Sequence, residues 1–121
     1  MSFLELFKTP DIHRGLREYD SQPDALLLDV RTEEEYRQGH IPCSRNLPLH
    51  SIDKVRLIAE NKDIPLYVYC QSGARSRRAA GTLMQMGYQH VKNLGGISAY
   101  KGKVVNQAVG ARPKGQILAM L

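Results

Sequence analysis

Two apolar runs of strand length constrain the fold of this chain more than any other feature. They occupy residues 25–30, broken only by Asp29, and residues 64–69. Runs of this length without polar alternation are typical of strands that are buried on both faces of a parallel sheet. Each run is followed by residues with helical spacing, so strands and helices alternate along the chain. This order predicts an α/β fold with a mainly parallel sheet and helices on both faces.

Shorter patterns predict the remaining elements. Thr9 before Pro10 indicates the N-terminus of a first helix. Thr32 and Glu35 form a capping box at the start of a second helix, and Ser51 is expected to cap a third. The other predicted elements are a brief strand at residues 46–48, a helix over residues 76–86, a strand at residues 91–94 and a helical turn at residues 97–101.

The length of 121 residues fits one domain, which we place at residues 9–102 between an N-terminal extension (1–8) and a basic and apolar C-terminal tail (103–121). We find no run long enough for a membrane span and no long apolar core of a signal peptide. We therefore expect a cytoplasmic protein. In that reducing compartment, Cys43 and Cys70 are expected to be individual thiols.

Charge is distributed unevenly along the chain. All 12 acidic residues lie at or before Asp63, whereas residues 64–121 carry basic side chains and no acidic ones. A half of the chain that carries only positive charge attracts anions, so the partner or substrate of residues 64–121 is predicted to be negative. The basic residues are scattered and no nucleic-acid motif accompanies them, so a solvated basic face is the better interpretation. We expect neither nucleic-acid nor membrane binding.

The strongest candidate site follows the second apolar run. Cys70 stands between that strand and the next helix, at the sheet edge where ligands bind in open α/β folds. The amides of residues 71–75 and the helix N-terminus are expected to form an anion-binding nest, with Gly73 supplying the backbone freedom and Arg75 a positive charge. We therefore predict that Cys70 is a nucleophile with a lowered pKa. The alternative, a buried packing cysteine, would not require the glycine and the arginine.

Three stretches of the chain together resemble the rhodanese superfamily over about residues 9–102. They are Leu27-Leu28-Asp29-Val30-Arg31 with Glu34-Glu35-Tyr36, Gly39-His40-Ile41-Pro42 with Asn46-Leu47-Pro48, and Tyr69-Cys70-Gln71-Ser72-Gly73-Ala74-Arg75-Ser76. The resemblance implies a three-layer α/β/α domain that acts as a sulfurtransferase. Cys70 would take a sulfane sulfur from a small anionic donor, thiosulfate or a persulfide, and pass it to cyanide, a thiol or a protein acceptor. It implies no metal and no organic cofactor.

The resemblance also implies roles for the residues around the cysteine. Arg75 would orient the anionic end of the donor. The anion-binding loop would consist of Gln71, Ser72, Gly73, Ala74 and Ser76. Asp29 would orient active-site or neighbouring backbone groups, or else would cap the helix that begins near Thr32. Arg31 is a supporting residue that we expect to pair with Glu35, four positions later.

Cys43 stands where the family usually has glycine, and we interpret it as a buried space-filler rather than a second reactive thiol. His40 has no evident acid–base partner in the sequence and is expected to be structural. Two further functions stay open: a persulfide relay module that acts with a protein partner, and a phosphatase-like enzyme of the same fold. The six residues from Cys70 to Arg75 match the loop length that accompanies sulfur chemistry in the family.

Overall fold

A computed structural model describes residues 9–106 of the chain. In chain order the elements are α1 (Ile12–Asp20), β1 (Leu26–Asp29), α2 (Glu33–Gln38), β2 (Arg45–Asn46), a 3-10 segment (Leu49–Leu57), β3 (Leu66–Cys70), α3 (Ala74–Gln85), β4 (Val91–Gly96) and a 3-10 turn (Ile97–Ala99). Within this region, no helix has both the length and the apolar character needed to cross a membrane. The predicted extension (1–8) and most of the predicted tail (107–121) lie outside the described residues.

Within residues 9–106, the sheet consists of four parallel strands in the order β2-β1-β3-β4. Alternate residues of each strand point to opposite faces, so Leu28 and Val68 join one apolar cluster while Leu27 and Tyr67 join the other. The first cluster is completed by the 3-10 segment and α3, and the second by α1. The predicted parallel sheet with helices on both faces is therefore confirmed.

Two of the predicted helix starts are wrong. Thr9 does not begin α1, because Asp11 is its N-cap and accepts hydrogen bonds from the backbone N–H groups two and three residues later at 3.1 and 3.2 Å. Ser51 does not cap a helix either. It lies inside the 3-10 segment with φ −118° and ψ 20°, and its own N–H is bonded to the Pro48 carbonyl.

The capping box of α2 is confirmed. Thr32 Oγ1 accepts the Glu35 N–H at 3.2 Å, and Glu35 Oε1 accepts the Thr32 N–H at 3.1 Å. The helix ends at Gly39, as expected. Other boundaries move by up to two residues relative to the predictions: β2 is Arg45–Asn46, β3 is Leu66–Cys70, β4 runs through Gly96 and α3 begins at Ala74.

Strand β4 skips one residue in its pairing with β3. Asn93 pairs with Val68, but the next paired residue of β4 is Gly95, and Cys70 then lies opposite Gly96. Such a bulge shifts every following residue of one strand by one place relative to its partner. Here it places Gly95 opposite Tyr69 and Gly96 opposite Cys70, where unbroken pairing would place Leu94 and Gly95.

The chain returns to the body of the domain after the last 3-10 turn. His40 and Val105 form an isolated antiparallel bridge, with N–H to carbonyl distances of 2.8 and 2.9 Å. His40 is buried, and its ring stacks on Tyr36 while Nδ1 lies 2.7 Å from the Tyr36 carbonyl oxygen. These contacts give His40 a structural role between α2 and the end of the described chain.

Cys43 occupies a backbone conformation that L residues rarely adopt, with φ +73°. Its side chain is half-buried and packs against the second apolar cluster, whereas Cys70 belongs to the first cluster on the other face of the sheet. The two cysteines are not joined by a disulfide. The sheet therefore separates Cys43 from the candidate nucleophile.

We expect Cys43→Gly to raise the free energy of unfolding by about 0.5–1 kcal/mol, because glycine removes the cost of a left-handed L residue while giving up a small packing contribution. Urea denaturation measures the change. Cys43→Ala is the control, since alanine loses the sulfur but keeps the strained Cβ and should be less stable than the native chain. A glycine variant no more stable than the alanine variant would contradict the interpretation.

Candidate active site

Cys70 ends β3 beneath the turn that leads into α3. Gly73 is the N-cap of α3 and has φ +106°, a left-handed conformation that glycine adopts without steric cost. This turn directs the Gly73 N–H at Cys70 Sγ, with a nitrogen to sulfur distance of 3.0 Å. Ser76 Oγ lies 3.4 Å from the same sulfur and accepts its thiol hydrogen. Helix α3 begins at Ala74, two residues before the predicted start at Ser76.

The surroundings of Cys70 favour its thiolate. Burial raises the pKa of the Cys70 thiol, but the hydrogen bonds that the Ser76 hydroxyl and the backbone amides of Ser76, Gly73 and Ser72 donate to the thiolate form outweigh it, so the pKa is lowered. The residue is only 1% exposed. The sulfur is therefore covered from solvent, while the amides of the turn point towards it. This arrangement is an anion cradle built mostly from backbone donors.

We expect the rate of Cys70 alkylation by iodoacetamide to rise at a lower pH in the folded protein than in the urea-unfolded chain. The thiolate is the reacting species, so a lowered pKa in the fold moves the rising part of the pH profile down. A Cys43→Ser background leaves one thiol to follow. The pH midpoints of the two profiles are compared rather than the absolute rates, because burial of the sulfur also changes the absolute rate. Superimposable folded and unfolded profiles would show that the cradle does not stabilise the thiolate.

Gly96 lies directly against the backbone of the loop, and the sequence analysis does not predict this contact. The Gln71 carbonyl accepts the Ser98 N–H at 3.2 Å, and a Cβ on Gly96 would lie 2.3 Å from that carbonyl oxygen and 2.6 Å from Ser72 Cα. Only a residue without a side chain permits this approach of two backbones. The signal in the sequence is the adjacent pair Gly95-Gly96, directly after the predicted strand at residues 91–94.

We expect Gly96→Ala to lower kcat/KM for sulfur transfer by about tenfold or more, because the new methyl group must push the loop amides away from the sulfur. Steady-state kinetics measure this loss, and circular dichroism checks that the fold is kept. Gly81→Ala on α3 is the matched control, since a Cβ there meets nothing within 4 Å. Equal activities of the two variants would exclude the supporting role of Gly96.

Asp29 and Arg31 form a buried ion pair beside the loop. Arg31 is 4% exposed and Asp29 is fully buried, with 2.7 Å between Arg31 Nη2 and Asp29 Oδ2. The same guanidinium donates to Gln71 Oε1 at 3.3 Å and to the Gly39 carbonyl at 2.7 Å. The Asn46 side chain donates to the backbone carbonyls of both members of the pair. Asp29 therefore orients Arg31, which reaches the second residue of the loop.

The predicted pairing of Arg31 with Glu35 is wrong. Arg31 turns inward to Asp29, and Glu35 instead holds Arg75 with two hydrogen bonds of 2.7 and 2.9 Å. The second interpretation of Asp29, as a helix cap, is also wrong, because Thr32 caps α2. The four-residue spacing predicts a pair between Arg31 and Glu35 on one helix. Arg31, however, precedes α2, and its side chain binds the buried carboxylate of Asp29 instead.

Arg75 thus lies at the start of α3 with its charge already matched by a carboxylate. The side chains of Arg75 and Glu35 are 36% and 30% exposed, so the pair lies at the surface of the site. The hydrogen bonds with Glu35 raise the pKa of Arg75, and the negative charge on Cys70 adds to that effect. The structure therefore brings Cys70, Arg75 and the loop residues to one place, with Glu35 as an additional member.

Two cavities lie at opposite edges of the sheet. The smaller, about 400 Å³, borders the loop and includes Ser72 and Arg77. The larger, about 580 Å³, lies at the amino-terminal ends of the strands beside Pro65, Tyr67 and His90, and it contains none of the predicted site residues. The smaller cavity therefore borders residues 72–74 of the loop, although neither Cys70 nor Arg75 lines it. Among residues 9–106, no group of three or more acidic, histidine or cysteine side chains is arranged to hold a metal ion.

The fold and the site together define a parallel α/β domain with one cysteine in a backbone cradle at the carboxyl edge of the sheet. Comparison with known families agrees, since the model of the rhodanese-like domain matches residues 13–103. The chain belongs to the rhodanese family. This identification agrees with the resemblance carried by the three sequence stretches.

Individual relatives connect the family to sulfur transfer. A protein named sulfurtransferase from Allochromatium vinosum is 49% identical over 78 residues, which cover 64% of this chain and 72% of the relative. Thiosulfate sulfurtransferase PspE of Escherichia coli is 37% identical over 71 residues, or 58% of this chain and 68% of that protein. A solved E. coli structure described as rhodanese with anions is 32% identical with a TM-score of 0.64, covering 69% of this chain and 99% of the other. These matches support a sulfurtransferase or sulfur-relay role.

Proposed function

We propose that this domain is a sulfurtransferase that carries a sulfane sulfur on Cys70 as a persulfide. The observation that supports it most directly is the cradle, in which the Gly73 amide lies 3.0 Å from Cys70 Sγ and Ser76 Oγ lies 3.4 Å from it. A site that stabilises a sulfur anion suits a nucleophile that must also act as a leaving group.

The reaction consists of two displacements at sulfur. In the first, the Cys70 thiolate attacks the outer sulfur of thiosulfate, a Cys–S bond forms, and the S–S bond breaks to release sulfite. In the second, the acceptor attacks the outer sulfur of the Cys70 persulfide and restores the thiolate, so that cyanide leaves as thiocyanate. No net oxidation or reduction of the protein occurs. Both steps place negative charge at the position faced by the loop amides.

The loop residues have different roles in this proposal. Gly73 and Ser72 contribute backbone N–H groups, and Ser76 contributes both its amide and its hydroxyl. Gln71 is held by Arg31 and keeps the loop in place. Ala74 and Arg75 form the first turn of α3 at the rim. Because Cys70 is 1% exposed, a donor has to displace part of this cover before transfer begins.

Intact-protein mass spectrometry after incubation with thiosulfate tests the proposal. We expect a mass gain of one sulfur on Cys70 that cyanide removes with formation of thiocyanate. A persulfide that forms readily but turns over slowly, until a protein acceptor is added, would identify the relay form of the same function. Hydrolysis of p-nitrophenyl phosphate without any gain of sulfur would contradict the proposal and favour a phosphatase-like enzyme.

A further inference from the structure

Both arginines that flank the cradle are already paired with carboxylates. Arg31 is paired with Asp29 in the interior, and Arg75 is paired with Glu35 at the rim. Two positive and two negative groups therefore surround the site, and together these four side chains supply no net charge to an incoming anion. Neither arginine of these two pairs therefore offers an unmatched positive charge to the donor.

The Glu35 carboxylate is held firmly in its position. Besides the two bonds with Arg75, its Oε1 accepts the backbone N–H and the hydroxyl of Thr32, both at 3.1 Å. The Arg75 hydrogen bond is the largest cause that lowers the pKa of Glu35, to about 2. The carboxylate is thus ionised at any pH at which the domain works. A donor that seeks the Arg75 guanidinium has to compete with a fixed negative charge.

We propose that Glu35 determines donor specificity: by neutralising Arg75 it disfavours thiosulfate, a dianion, and leaves a persulfide without further negative charge as the preferred donor. This inference rests on the proposed function of Cys70 as a sulfur carrier. Glu35 acts through Arg75 and is therefore a positioning residue. In the preferred reaction the Cys70 thiolate attacks the outer sulfur of R–S–SH, the S–S bond breaks, and the products are the Cys70 persulfide and the thiolate of R.

The test compares two donors in three proteins: the native chain, Glu35→Gln and Glu33→Gln. Glutamine keeps the capping hydrogen bonds at position 35 but removes the charge. Glu33 lies on the same helix and pairs with Arg37 in an exposed contact, so it provides the matched loss of one charge. The donors are thiosulfate and the persulfide of 2-mercaptoethanol. The measured quantity is the ratio of kcat/KM for the two donors.

We expect Glu35→Gln to raise kcat/KM for thiosulfate by about five- to tenfold, mainly through KM, because a freed guanidinium attracts a dianion. Its kcat/KM for the persulfide donor should stay within about twofold of the native value. Glu33→Gln should change neither. An unchanged donor ratio in Glu35→Gln would overturn the specificity role. A native chain that accepts sulfur from neither donor would overturn the proposed function itself.

A measurement on the native chain keeps the inference testable without any variant at position 35. Cys70 is alkylated with iodoacetate, an anion, and with neutral iodoacetamide, and the labelled peptide is quantified. We expect the ratio of the two rates in the folded protein to change little as salt is added, because Arg75 is neutralised by Glu35 in the fold. A ratio that falls several-fold as salt is added would show that the cation is available to anions and would overturn the inference.

Discussion

Cys70→Ser is expected to abolish sulfur transfer, with turnover falling by about a thousandfold or more. Serine preserves the size of the side chain, but its hydroxyl stays protonated at neutral pH and cannot hold a transferable sulfur. The hydrogen bonds with Gly73 and Ser76 can persist to an oxygen, so the fold should be kept. Thiosulfate:cyanide turnover and the mass of the protein after incubation with donor both measure the effect.

Cys43→Ser is the matched control for this experiment. Cys43 packs against the cluster on the other face of the sheet, so its replacement should leave turnover within about twofold of the native value. Loss of turnover in both variants would require a mechanism with two thiols. Residual turnover in Cys70→Ser would show that sulfur is carried elsewhere in the chain.

The second large effect concerns stability. We expect Asp29→Asn to lower the free energy of unfolding by about 3–5 kcal/mol, because it leaves the buried Arg31 guanidinium without a counter-charge. The native pair has a contact of 2.7 Å and almost no exposure to solvent. Since folded domains of this size are stable by only about 5–15 kcal/mol, the loss should be evident in urea denaturation. Activity should fall as well, because Arg31 also holds Gln71.

Two further variants test whether the stability loss in Asp29→Asn comes from the unpaired buried charge rather than from the loss of an ion pair in general. Glu33→Gln breaks the exposed pair with Arg37, and we expect a change within about 0.5 kcal/mol. Asp29→Asn combined with Arg31→Gln removes both charges and should recover part of the stability, because no unpaired ion is left in the interior. An Asp29→Asn protein as stable as Glu33→Gln would mean that Arg31 finds other compensation in the fold.

The layered fold could be predicted because buried strands and their connecting helices leave clear patterns in the sequence. The runs at residues 25–30 and 64–69 contain the two central strands, and the capping box at Thr32 and Glu35 marks the start of α2. Helix starts that depend on one side chain were less predictable. Asp11 and Thr9 are both good caps, and only the geometry of the packed helix selects between them.

The loop was predictable as a unit, but its partners were not. Cys70, Gly73 and Ser76 are neighbours in the sequence, so strand–loop–helix order brings them together. The partner of Arg75 is Glu35, 40 residues away, and no local spacing indicates that contact. The approach of Gly96 depends on a skipped residue in β4, which single-sequence patterns do not reveal.

The bridge between His40 and Val105 also has a practical consequence for protein engineering. A version of the domain shortened to residue 102 would lose both hydrogen bonds and leave the amide and carbonyl of a buried residue without their partners. Affinity tags, fluorescent reporters or fused acceptor proteins are better attached after residue 106, where the bridge is kept.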